Sequence, residues 1–79
     1  MSEHNKPDKK LDCLGLYCPE PVFRTRIEID KLNAGEVLEL IADDPAAEKD
    51  IPLLVKKLGH KLLEMYKKND HYHFLIKKV

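Results

Sequence analysis

Two prolines flank one glutamate in the segment Cys18-Pro19-Glu20-Pro21, and they restrict the backbone more than any other feature of this chain. Each proline fixes φ at about −65° and lacks a backbone N–H, so it breaks the bonding of a helix interior. The first turn of a helix tolerates both, because the N–H groups there have no partner within the helix. The segment therefore reads as a helix start. Val22, Thr25, Ile29 and Leu32 follow at the helical period and share one face. Gly35 is the expected terminator.

The flanking segments have a different period. Leu11-Asp12-Cys13-Leu14 is strand-like, with Leu11 and Cys13 on one side, and Gly15 allows a turn. Glu36 to Ala42 is a second strand, with Leu38, Leu40 and Ala42 on one side. Asp43-Asp44-Pro45 breaks it. A second helix is expected next, with Asp50 as its cap and Pro52 in its first turn. Ile51, Leu54, Val55 and Leu58 form its apolar stripe, and Gly59 ends it. Lys61 to Lys67 and Tyr72 to Lys78 read as strands joined at Asn69-Asp70, a hairpin. The order is β-α-β-α-β-β. Each helix has one apolar stripe, so both pack on one face of a sheet. The expected fold is α+β: a two-layer α/β sandwich with a four-stranded mixed sheet, two helices on one face and the other face largely open to water. Residues 1–10 read as a flexible N-terminal tail and 11–79 as the domain.

Composition narrows the function. A chain of 79 residues has room for one core. Fourteen basic and fourteen acidic side chains leave no net charge, which argues against direct nucleic-acid binding and against an anionic membrane surface. No apolar run approaches the roughly 18–20 residues that cross a bilayer. The opening residues lack the apolar stretch of a signal peptide. Two cysteines are too few for a disulfide scaffold. A cytoplasmic protein with reduced thiols is expected. Charge is uneven along the chain: residues 1–55 sum to −5 and residues 56–79 to +5. Solvated faces account for this, and so does a surface that steers a charged partner.

Cys18 is the candidate reactive residue. If Pro19 is the first helical residue, Cys18 is the N-cap, next to unpaired N–H donors and the positive end of the helix dipole. Both favour thiolate over thiol and should lower its pKa. Pro19, Glu20 and Pro21 shape the site: the rings stiffen the turn, and Glu20 and Val22 supply its nearest donors. Serine or aspartate would cap better, so sulfur in this position points to chemistry. Cys13, on the apolar side of a strand, reads as packing. His71 and His73 share a strand face, but no local pattern completes a tetrahedral metal set, and no metal is expected. His4 and His60 carry no readable signal. There is no Ser/His/Asp pattern and no Gly-rich phosphate loop.

Leu11-Asp12, Leu14-Gly15-Leu16, Cys18-Pro19-Glu20-Pro21-Val22, Gly35-Glu36, Ile41 to Ala46, Asp50-Ile51-Pro52, Gly59-His60 and Phe74 to Lys77 together resemble the TusA (SirA-like) family of sulfur carriers. The resemblance covers residues 11–78. It implies the same two-layer fold and a sulfurtransferase that acts as a persulfide carrier without a cofactor. Cys18 would accept sulfane sulfur from a cysteine desulfurase and pass it to a downstream relay protein, towards 2-thiouridine at the tRNA wobble position. Relatives serve sulfur oxidation or molybdenum cofactor supply. Tyr17 departs from the family, whose members often carry arginine there. A monomer is expected to dock its partners around Cys18, through Tyr17, Phe23, Arg24, Arg26, Ile27, Asp43 and Asp44. Phe23 and Ile27, an i, i+4 pair on the flank of the core stripe, either widen that stripe or form an apolar docking spot beside the thiol, and the two aspartates also suit a turn and cap role. Leu53 is off its helix's stripe without an evident role. A thiol-based regulatory or interaction module is the alternative function.

Overall fold

The computed structural model describes residues 7–79. Strand β1 (Lys9–Cys13) leads into helix α1 (Glu20–Lys31), then strand β2 (Val37–Ala42), helix α2 (Ala47–Leu58), strand β3 (Lys61–Lys68) and strand β4 (His71–Lys77). The sheet order is β1-β2-β4-β3, with β1 and β2 parallel and the other pairs antiparallel. This is the expected mixed sheet. A parallel pair needs a crossover, and α1 supplies it. Both helices pack on one sheet face. Ile29 of α1, Leu32 just after it, and Ile51 and Val55 of α2 meet Cys13, Leu38, Leu40, Ala42, Phe74 and Ile76 in one buried cluster.

Element boundaries differ from expectation, most of all at the start of β1, the end of α1 and the start of α2. Lys9 and Lys10, placed in the tail by the sequence, are in β1. Asp8 leads that strand in: its N–H donates to the Val37 carbonyl, and its carboxylate accepts from the Val37 N–H, both at 2.8 Å. Residues 1–6 of the expected tail lie outside the described residues. Helix α1 stops at Lys31 rather than at Gly35, because buried Leu32 turns to extended backbone (φ −78°, ψ 154°). Gly35, at φ +89°, instead forms the turn into β2 and donates to the Lys78 carbonyl at 2.7 Å.

Helix α2 begins at Ala47, three residues before the cap expected at Asp50. Asp44 starts it instead. Its carboxylate accepts the Ala46 N–H at 3.1 Å, and its carbonyl accepts the Ala47 N–H at 2.9 Å. Pro45 follows where a proline suits a helix entry. Pro52 thus lies inside the helix, and the carbonyl it leaves unbonded belongs to exposed Glu48.

The outer sheet face is better covered than its polar sequence suggests. Val37 and Leu75 are buried there. The Tyr66 ring stacks on His73, centroids 4.7 Å apart and planes within 2°. Glu39 lies between His73 at 3.6 Å and Lys10 at 4.0 Å. Long side chains across neighbouring strands thereby shield the apolar ones between them.

Candidate functional site

Because β1 and β2 run parallel, with Cys13 paired to Ala42, their carboxyl ends emerge at the same sheet edge. Both following loops and the starts of both helices gather there. The loop after β2 grips the loop after β1. Asp43 accepts the Gly15 N–H at 3.0 Å, and Asp44 accepts the Cys18 N–H at 2.6 Å. Asp12 accepts the Leu14 N–H at 2.9 Å. Asp44 is buried, so it braces the site from beneath. The two aspartates that the sequence offered for docking are committed to this scaffold.

Cys18 is exposed and Cys13 is buried. Cys18 is not the N-cap. That position belongs to Pro19, which makes no side-chain cap bond. The thiol is therefore one residue short of the helix terminus, and its direction is set from elsewhere: Cys18 Sγ donates to Asp50 Oδ2 of α2 at 3.2 Å. The expected depression of its pKa is overturned. The hydrogen bond to Asp50 leads in raising it above the ordinary value of 9.0, with smaller additions from burial and from the charges of Asp50 and Asp44. A carboxylate only accepts, so it favours the protonated partner.

The thiol opens onto a groove of about 320 Å³ between α1 and α2, lined by Pro19, Val22, Asp50, Leu53, Leu54 and Lys57. This accounts for Leu53, which is 59% exposed: it forms a groove wall. Asp50, Leu53, Leu54 and Lys57 are at i, i+3, i+4 and i+7, one helical face. The periodicity was present in the sequence but was hidden by placing Asp50 outside the helix.

Phe23 and Ile27 are exposed rather than part of the core stripe. They line a separate hollow with Leu11, Glu20, Arg24 and Glu28, not the groove that holds Cys18. Arg24 pairs with Glu20 at 3.3 Å, while Arg26 and Tyr17 are exposed. Pro21 is buried under the first turn of α1, which anchors the turn that carries the thiol. Among the described residues, no group of three or more His, Cys, Asp or Glu side chains could hold a metal ion, and no helix is long and apolar enough to cross a membrane.

Residues 9–78 match the family described as Sulfurtransferase TusA. The chain belongs to the TusA sulfurtransferase family. A protein of Archaeoglobus fulgidus named "Putative sulfur carrier protein" is 60% identical over 62 residues, which cover 78% of this chain and 80% of that protein. The crystal structure of a SirA-like protein from Desulfitobacterium hafniense superposes with a TM-score of 0.79 at 25% identity, covering 87% of this chain and 95% of that one. The TusA fold and the sulfur-carrier character expected from the sequence are thus established. Of the two cysteines of this TusA domain, Cys18, in the Cys-Pro-Glu-Pro segment, is the exposed one.

Proposed function

We propose that Cys18 carries sulfane sulfur as a persulfide, which makes the protein a sulfurtransferase in a relay. The observation that carries this reading is an exposed thiol on a doubly braced loop at the mouth of an apolar groove. Such a thiol can be reached by a partner's cysteine yet stays fixed in place. The sulfur of Cys18 attacks the outer sulfur of a donor persulfide and loses its proton. A new S–S bond forms on Cys18, the donor's S–S bond breaks, and the departing donor sulfur keeps the electron pair and is protonated. An acceptor thiolate then attacks the outer sulfur now on Cys18. Sulfane sulfur changes hands with no net oxidation, so no cofactor takes part. The attacking species is the thiolate. A raised pKa reduces its fraction but makes each thiolate more nucleophilic, so about half of the rate loss is recovered.

The donor is a cysteine desulfurase or a similar persulfide enzyme. The acceptor is a relay protein on the route to tRNA 2-thiouridine, and the setting is cytoplasmic. The exposed Tyr17, Phe23, Arg26 and Ile27 extend the docking surface beyond the groove. Incubation with a cysteine desulfurase and cysteine should add one sulfur mass at Cys18, read by intact-protein mass spectrometry. Cys18→Ser should fold as the parent does and add none. A parent that gains no sulfur from several desulfurases would overturn the proposal.

A further inference from the structure

Cys18 and Asp50 are 32 residues apart in sequence and come from opposite sides of the groove, yet Sγ and Oδ2 meet at 3.2 Å. The charged groups acting on this sulfur are Asp50 on α2 and Asp44 in the loop beneath it, and Lys57 lines the same groove. We propose that Asp50 is a positioning residue that holds the empty carrier in its thiol form and aims its sulfur across the groove, and that sulfur loading releases this hold. The inference rests on reading Cys18 as the sulfur-bearing residue and adds the control of its protonation.

The chemistry of the contact supports both halves. A carboxylate accepts from S–H and repels S⁻, so the contact favours the thiol while Asp50 is ionised. The raised acidity constant of Cys18 has the same leading cause. In the loaded state Cys18 Sγ is bonded to carbon and to the outer sulfur and carries no hydrogen. The S–H proton, if present, is one S–S bond further out, about 2.05 Å. The 3.2 Å contact therefore belongs to the empty carrier alone. An empty carrier held as a thiol reacts slowly with stray electrophiles and oxidants, since these consume the thiolate. A partner that sets a cation against Asp50 weakens the hold as it docks.

The test is the pH profile of iodoacetamide alkylation at Cys18, followed by peptide mass spectrometry in the wild type, Asp50→Asn and Asp50→Glu. An exposed charge contact of this kind shifts an ionisation equilibrium by roughly two- to fivefold. Asp50→Asn should move the profile to lower pH and speed alkylation near neutrality by about that factor, while Asp50→Glu stays closer to the wild type. Added salt should move the wild-type profile the same way, because it screens an exposed charge; this arm needs no variant. After loading with a desulfurase and cysteine, wild type and Asp50→Asn should alkylate at equal rates. An Asp50→Asn profile that is unmoved or shifted to higher pH, or a salt-independent wild-type profile, overturns the hold. An undiminished difference after loading overturns its release. A wild type that never loads refutes the carrier reading and leaves the empty-state profiles to judge Asp50 by themselves.

Discussion

Asp44 has the largest structural consequence of any single side chain near the thiol. One carboxylate oxygen accepts the Cys18 N–H and the other accepts the Ala46 N–H, so it fixes the reactive loop and starts α2 together. Hydrogen bonds to a charged group contribute about 1.5–3 kcal/mol each, and a donor left without a partner costs more when buried. Asp44→Ala should therefore destabilise the fold by about 2 kcal/mol or more in urea titration, and Asp44→Asn by less, because its amide keeps one accepting oxygen. Equal losses for the two would show that the oxygens do not act separately. The sequence offered Asp44 for docking or for a turn. Choosing between them required the loop after β1, which reaches Asp44 only because β1 and β2 lie side by side.

Helix α1 shows what periodicity reveals and what it conceals. Thr25 and Ile29 were expected inward and are fully buried. The Thr25 hydroxyl has no hydrogen-bond partner, which a count of apolar positions cannot show. A buried hydroxyl without a partner costs about 1–3 kcal/mol, and valine occupies nearly the same volume. Thr25→Val should raise stability by about 1 kcal/mol, seen as a higher urea midpoint with unchanged slope; a lower midpoint would mean that the hydroxyl is satisfied. Helix α2 gives the complementary lesson. Ile51, Val55 and Leu58 of its expected stripe pack on the core while Leu54 lines the groove, and the cap expected at Asp50 lies four residues past the observed one at Ala46. Asp50 and Pro52 imitate a cap and a first turn, and the competing start at Asp44-Pro45 is specified by contacts as much as by local preference. That error concealed the groove face of Asp50, Leu53, Leu54 and Lys57.

At the scale of the molecule, the two thiols are separated by the layer architecture. Cys13 is inside the sandwich and Cys18 is at its edge. Burial holds Cys13 above 9.0, Arg24 opposes this, and Asp12 and Glu20 add to it. A folded value above the unfolded one contributes stability that is complete below the unfolded value and lost as pH rises through the folded value. The stability of the wild type should accordingly fall relative to Cys13→Ala as pH climbs past 9.0, measured by urea titration of both proteins over the alkaline range. A constant difference would place Cys13 in contact with water. The acidic character of the first 55 residues has a spatial counterpart, since Asp44 and Asp50 both bond Cys18 and Asp43 bonds the nearby Gly15. Asp50 and Lys57 share one wall of the groove beside the thiol.

The order of the elements and most of the core stripe could be read along the chain, as could the resemblance that singles out Cys18. These depend on local period, on proline stereochemistry and on a run of residues shared with the TusA family, all written in neighbouring positions. The surroundings of Cys18 came from packing instead, through Asp44 and Asp50. The nearest helix terminus is the local candidate for control of the thiol, whereas α2 brings up a carboxylate 32 residues away. Cys18 does not cap α1 and its thiol bonds Asp50 at 3.2 Å, and no pattern along the chain encodes which two helix starts will share one edge of a sheet.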